Sequence, residues 1–418
     1  VISSFSAVHQ PHIHKKETSV RSTYIAICAQ DLVDIVAQEL EGYGAVNIDK
    51  AYAAVRFEAE LATAYRLHLR LQTPSRLLQM LRQGSGSSLA VVTNQARKVK
   101  WEEYFRPDST YLIEGVVGDR GPEFPSATLL SKAVRLGLED HFRKLERPLP
   151  KVDLKHPKIR VVAHLAGGEL TLSLDTSGKS LHKRGYRGDN HPAPIKENLA
   201  AALLRLIGYD GSQTFYDPMC GSGTIAIEAA FLSLNKAPLI HRRKGDFGFE
   251  HLATFDSRLW RDVQESCRQD REEVPRAAIF ASDIDGRFVT AARENALRAR
   301  VERHIQFKQG SFFDLPAPAS QGLLLSNFPY GERIGKRSEN DMVEFYQKVG
   351  DTLKQKYAGW TAALLVAEES PYKFIGLRPK RRIPVDNGGI PCRLLIFELY
   401  AGKKHASTED DATTGEES

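Results

Sequence analysis

The 418-residue chain is poor in sulfur and has only three tryptophans: it carries four cysteines and three methionines. Cys28, Cys220, Cys267 and Cys392 stand far apart, with no CxxC pair and no Cys/His ligand cluster. That spacing indicates no metal site and no disulfide framework, and free thiols suit a reducing, cytoplasmic setting. No apolar run approaches the roughly 18–20 residues that a membrane helix needs. No internal repeat is visible. The Ser/His/Lys-rich opening, residues 1–20, lacks the apolar core of a signal peptide. It reads as a flexible leader, an expression remnant or the remains of an organelle-targeting segment. Residues 403–418 are small and polar, with an acidic cluster at Glu409, Asp410 and Asp411, and read as a disordered tail.

The length asks for two or three domains. A 42% hydrophobic and 26% charged composition is that of a globular chain. The net charge of +6 fits a polyanionic partner without requiring one. Residues 21–82 read strand, helix, strand, helix: Tyr24–Cys28, then Leu32, Val33, Val36 and Leu40 at helical spacing, then Ala53–Phe57, then Ala62–Leu71. Gly84–Ser88 reads as a flexible break. A second α+β unit fills 83–175, with a strand at Tyr111–Ile113 and a helix over Ser126–Leu145 that shows Lys132, Arg135, Arg143 and Lys144. A hairpin there turns at Gly167-Gly168. Residues 176–191, with Lys179, His182, Lys183, Arg184 and Arg187, read as a basic linker: a solvated charged loop, or a hinge that contacts phosphates.

From 192 to 402 helices and apolar strands alternate, which predicts a mostly parallel sheet covered on both faces. Strands are expected at Thr214–Tyr216, Ala277–Ala281, Ile305–Phe307, Gly322–Ser326, Ala362–Val366 and Leu394–Leu399. The residues that carry chemistry follow these strands. Asp217-Pro218-Met219-Cys220-Gly221-Ser222-Gly223-Thr224 leads into a helix, where glycines allow close backbone approach and the helix start offers free N–H groups. It has neither the Lys-Ser/Thr of a Walker loop nor the GxGxxG spacing. A plain tight turn is the bland alternative to a nucleoside site. At the next strand end, Asp283 is placed to accept from ribose hydroxyls, with Ile284 beside it and Asp285 as a helix cap. Ser311 and Phe312 lie in Gln309-Gly310-Ser311-Phe312-Phe313-Asp314 after the third strand, which can contact an adenine through its backbone and Ser311 or Asp314; an ordinary strand-end loop is the alternative. Asn327-Phe328-Pro329-Tyr330 follows the fourth. There the Asn327 side-chain oxygen and the carbonyl of Phe328 or Pro329 can accept both N–H bonds of an exocyclic base amine, and Tyr330 can stack on the base. A bare turn is again the alternative.

Taken together, these motifs resemble the class I methyltransferases of exocyclic base amines. Lys183-Arg-Gly-Tyr-Arg187, Ala193-Pro-Ile-Lys-Glu-Asn-Leu-Ala200, Gly248-Phe-Glu250 with Trp260, and Val99-Lys-Trp-Glu-Glu-Tyr-Phe105 narrow the likeness. The chain is similar to the THUMP-domain guanine-N2 RNA methyltransferases, above all the bacterial 23S rRNA enzymes, over about Thr23–Ala401. The resemblance implies a Rossmann-like α/β domain with a seven-stranded sheet, preceded by ferredoxin-like (21–82) and THUMP (83–175) regions. It implies S-adenosylmethionine as cofactor, with Asp217, Cys220, Gly221, Ser222 and Gly223 on its methionine side, Asp283 on its ribose, and Pro218, Thr224 and Asn327 among the residues that bind it. It implies structured RNA, 23S rRNA or its precursor, as partner. Most relatives carry Pro where this chain has Phe328. A bulky apolar residue there is also similar to the rRNA adenine-N6 dimethyltransferases. A tRNA guanine, an adenine N6, and a non-catalytic RNA-binding or ribosome-assembly role remain the alternatives.

Overall fold

The computed structural model describes residues 20–118, 126–188, 195–329 and 339–400. The leader, the tail and Tyr330 lie outside the described residues. Two sheets organise the chain. The first has eight strands in the order β2-β3-β1-β4-β8-β7-β5-β6. They are β1 (Ser22–Ile27), β2 (Val46–Ala51), β3 (Ala54–Ala59), β4 (Arg76–Ser85), β5 (Thr110–Val117), β6 (Lys151–Val152), β7 (Ile159–Ala166) and β8 (Glu169–Asp175). Helices α1 (Val33–Gly42) and α2 (Leu61–Arg70) complete a βαββαβ unit. Helices α3 (Leu89–Arg97) and α4 (Ala127–Lys144) belong to the next one.

The second sheet has seven strands in the order β11-β10-β9-β12-β13-β15-β14. These are β9 (Phe215–Asp217), β10 (Ile279–Asp283), β11 (Gln306–Gln309), β12 (Gly322–Asn327), β13 (Trp360–Ala367), β14 (Arg381–Asp386) and β15 (Pro391–Glu398). The first five in that order are mutually parallel, and β15 and β14 close the edge antiparallel. Around them lie α5 (Glu197–Leu206), α6 (Thr224–Ser233), α7 (Ser257–Gln269), α8 (Gly286–Arg298) and α9 (Glu339–Lys356). The mostly parallel sheet expected from the alternation is present, with the seven strands that the resemblance implied. The chain leaves β9 toward β10 on one side and reaches β12 on the other, so the carboxyl ends of β9 and β12 form a topological switch point.

Three expectations are corrected. Gly84–Ser88 is not a free break, because Gly84 and Ser85 belong to β4 and pair with Leu170 and Glu169 of β8. That pairing satisfies their backbone groups and fuses the two N-terminal units into one sheet. The segment after β8 is not a solvated basic loop. Thr176, Ser177, Leu181, Arg184 and Tyr186 are buried, and Arg242 donates to the carbonyls of Ser177, Lys179, Ser180 and Lys183. Only Lys179 and Lys183 of its cations are exposed. The basic face of α4 is also partly cancelled, since Arg135 and Arg143 pair with Glu139 and Asp140.

The two halves share a core. Phe247, Phe249, Leu252, Trp260, Val263 and Cys267 come from the chain between α6 and β10, yet they pack with Tyr65, Leu67 and Leu69 of α2. Tyr65 lies 4.7 Å from the Phe249 ring and 5.5 Å from Trp260, and His68 lies 4.8 Å from Phe249. Polar ties reinforce this. Arg70 is buried and binds Asp270 at 2.7 Å, and Arg205 of α5 reaches Glu39 of α1 at 3.2 Å. The N-terminal unit is thus packed against α5, α7 and the connection between α6 and β10.

Candidate active site

The turn from β9 into α6 is made by two left-handed glycines, Gly221 at φ +50° and Gly223 at φ +81°. L-residues pay a steric penalty in that region. At Gly223, the cap of α6, an added Cβ would lie 2.8 Å from the Ala292 Cβ, so the turn is packed tightly against α8. On the other side a Cβ at Gly221 would meet nothing within 4 Å, which leaves the backbone open to a ligand there. The Cys220 N–H donates to the Ser282 carbonyl at 2.9 Å, and the Gly221 N–H to Asp283 Oδ2 at 2.9 Å. From beneath, Asn295 Nδ2 donates to the Ser222 carbonyl at 2.9 Å. Arg187 reaches Thr224 Oγ1 at 3.2 Å, which places the segment before α5 against the first turn of α6.

Two carboxyls form the floor of this turn. Asp217 is 1% exposed and accepts from Ser326 Oγ at 2.5 Å. Burial pushes its carboxyl up to about 7, the bonds from Ser326 and the Met219 backbone oppose the rise, and the Asp283 charge adds to it. Asp283 is raised by burial as well, and its two oxygens accept from the backbones of Asp285 and Gly221. Neither acid has a cation within ion-pair distance among the described residues. A buried acid without a counter-charge is relieved by holding a proton, as the raised Asp217 does, or by an arriving cation. Burial, with Asp217 and Asp283 nearby, raises the Cys220 thiol well above its ordinary value, so it stays protonated. Asp285 caps α8 by accepting from the Arg287 N–H at 2.9 Å, the alternative that the sequence offered for it.

The remaining expected residues divide. Pro218, Ser222 and Thr224 are buried within the turn, while Ile284 is 70% exposed at the end of β10. Ser311 Oγ accepts from the Phe313 N–H at 3.1 Å and shapes its own loop. The Phe312 ring is buried in the core beneath the site, 6.1 Å from Phe328 and 5.5 Å from Tyr357. Only its backbone is left to meet a ligand. Phe328 is fully buried too, and its N–H donates to the Leu365 carbonyl at 3.0 Å, a bond that proline cannot make. Asn327 ends β12. Its Oδ1 is buried and has no hydrogen-bond partner among the described residues. Pro329 follows, half-buried.

Comparison with known proteins places the chain in a family. The family model described as "RMKL-like, methyltransferase domain" matches residues 184–396, the THUMP domain model matches 87–175 and the RlmL ferredoxin-like domain model matches 23–78. The chain belongs to the RMKL-like methyltransferase family. It is 35% identical over 398 residues to a Synechocystis protein named "putative RNA methyltransferase", covering 95% of this chain and 99% of that one. A Shewanella baltica protein named ribosomal RNA large subunit methyltransferase K/L is 34% identical over 377 residues, 89% of this chain. The chain spans about half the length of the Shewanella relatives it matches, 52% of that one. Among solved structures, one described as "a putative methyltransferase complexed with SAH" superposes with a TM-score of 0.81 at 25% identity, over 92% of this chain and 99% of that one. A Listeria monocytogenes chain described as "a predicted N6-adenine-specific DNA methylase" superposes at 0.80 and 26%, over 92% and 97%.

This RMKL-like methyltransferase takes S-adenosylmethionine as its methyl donor. The acids fit it: a sulfonium and an ammonium group are cations that suit the buried Asp217, which has no counter-charge among the described residues, and ribose hydroxyls can donate to Asp283. Sequence reasoning overlooked Ser326, Tyr216 and Asn295. The Tyr216 hydroxyl meets Ser282 Oγ at 2.7 Å and ties β9 to β10. Ser326 stood beside Asn327 in the motif, but its side chain had no assignable partner until β9 and β12 were adjacent. Asn295 gave no signal at all.

Proposed function

We propose that this chain methylates the exocyclic N2 of a guanine in RNA, with large-subunit (23S) rRNA in the cytoplasm as the substrate. The observation that carries the reading is the buried, unpartnered Asn327 Oδ1 at the switch point, on the strand next to the acidic floor of the glycine turn. An exocyclic amine is a weak nucleophile because its lone pair is delocalised into the ring. Asn327 Oδ1 and the carbonyl of Phe328 or Pro329 accept its N–H bonds and stabilise the positive charge that builds on nitrogen. The donor supplies an electrophilic methyl on sulfonium. Asp217, Pro218, Cys220, Gly221, Ser222, Gly223 and Thr224 hold its methionine end, Asp283 its ribose, and Ile284, Ser311 and the Phe312 backbone its adenine. Tyr330 is assigned the stack on the base. Phe328 keeps its ring in the core, so it neither blocks the site nor offers the base a platform. The RNA assignment draws on the THUMP match and on the names of the relatives.

The test is transfer of labelled methyl groups from S-adenosylmethionine to total rRNA and tRNA that lack the modification, followed by nucleoside analysis. N2-methylguanine in large-subunit rRNA is the expected product. Label in tRNA or in N6-methyladenine would replace the substrate. RNA binding without any label would replace catalysis by an RNA-binding or assembly role.

A further inference from the structure

We infer that Ser326 is a positioning residue that couples the cofactor floor to the methyl-accepting loop, through its hydroxyl bond to Asp217. The inference rests on the reading of Asn327 as the group that receives the base amine.

Three observations carry it. First, Ser326 Oγ is shared by two groups of the glycine turn: it donates to Asp217 Oδ1 at 2.5 Å and accepts from the Met219 N–H at 3.2 Å. Ser326 is fully buried and Asp217 nearly so, so water does not compete for either bond. Secondly, Asn327 is bracketed. On one side stands this Ser326 anchor, and on the other the Phe328 N–H bond to the Leu365 carbonyl at 3.0 Å. The Asn327 oxygen itself has no partner among the described residues, so what these two bonds fix is the backbone that carries it. Thirdly, Asp217 is the natural partner of an incoming cation. Its surroundings are the Asp283 carboxyl, the Cys220 thiol and the Tyr216–Ser282 hydroxyl pair, none of them positive.

The consequence is an order of events. While the floor holds no cation, Asp217 tends to keep its proton and the Ser326 bond joins two neutral groups. When a sulfonium cofactor arrives, the carboxylate form is favoured and the bond becomes charge-assisted, about twice as strong as a bond between neutral groups. The end of β12 is then held at its tightest when a methyl group is present to be transferred. S-adenosylhomocysteine lacks the sulfonium charge and favours the carboxylate less.

The test compares Ser326→Thr with Ser326→Val, two side chains of nearly the same shape of which only the first has a hydroxyl. Turnover is measured on total rRNA with labelled S-adenosylmethionine, and affinities for S-adenosylmethionine and S-adenosylhomocysteine by calorimetry, all on the full chain. The Thr variant should turn over at least ten-fold faster than Val, with cofactor affinities within about three-fold of each other. The preference of the wild type for S-adenosylmethionine over S-adenosylhomocysteine should shrink in Val and persist in Thr. Equal turnover and equal preference in the two variants would overturn the inference. Asn327→Ala separates the two layers: if it stays active, the catalytic-loop reading fails; if it is inactive while Thr and Val are alike, only the role of Ser326 does. Should both Ser326 variants misfold, proton uptake or release decides, since wild type should release a proton to buffer on binding S-adenosylmethionine at pH 6.5 and release less on binding S-adenosylhomocysteine; equal release would overturn the coupling.

Discussion

Arg184 and Glu228 have fully buried side chains 3.4 Å apart, and join the segment before α5 to the helix that carries the glycine turn. Arg184 also donates to the carbonyl of Gln72 at 2.5 Å, and the Tyr186 hydroxyl donates to Glu228 at 3.2 Å. One guanidinium therefore touches the N-terminal unit, its own segment and α6. Removing one partner leaves the other charge buried and alone, a loss of about 3–5 kcal/mol. Arg184→Met should lower the urea midpoint by that margin. The double variant Arg184→Met with Glu228→Met should recover part of it; additive losses would mean that the pair is not coupled.

Trp260 tests whether the two halves unfold together. It packs edge-on against Tyr65 at 5.5 Å and against Phe249 at 5.0 Å. Trp260→Ala should cost about 3–5 kcal/mol. Because its contacts cross from α7 to α2, amide exchange should accelerate in β1 and β4 of the N-terminal sheet as well as in α7. Acceleration confined to α7 would show that the halves are independent.

The glycine turn separates a packing role from a binding role. Gly223→Ala places a Cβ 2.8 Å from Ala292 at φ +81°, so it should lose more than the ~1–2 kcal/mol of a left-handed alanine alone. Gly221→Ala meets open space at φ +50° and should cost only that backbone penalty. It should nonetheless weaken S-adenosylmethionine binding. Thermal melts and calorimetry on both variants check the contrast, which equal melting points would contradict.

Asp217 gives the pH dependence its sign. The native carboxyl is raised from 3.8 to about 7, chiefly by burial, so the folded protein holds a proton that the unfolded chain has lost. Its contribution to stability is complete below pH 3.8 and is lost as pH rises through 7. A cationic cofactor favours the ionised form, so its affinity should move the other way, rising up to ten-fold per pH unit below the native value and levelling above it. Calorimetric titrations between pH 5.5 and 8.5 measure this, and Asp217→Asn should flatten the profile.

Much of the catalytic half was determined by the sequence alone. Strands at 214–216, 277–281 and 322–326 announce themselves by largely apolar runs that end in Asp217, Asp283 and Asn327, because a strand buried on both faces carries few polar residues, and those small, until it reaches its end. The glycines at 221 and 223 are legible for the same local reason, a backbone conformation that other residues resist. What only the tertiary structure decided is every relation between distant segments. β4 read as a loop at Gly84 because its partner β8 lies more than 80 residues away. The cations of 176–187 read as solvated because nothing local shows that Glu228 and the carbonyls of Gln72 and Leu181 bury Arg184. Phe328 read as a departure in the site, yet its ring completes the core with Phe312 and Phe345. Hydrophobic periodicity reports which side of an element is buried. It cannot report against what, and the Ser326–Asp217 bond exists only because the sheet order sets β9 beside β12.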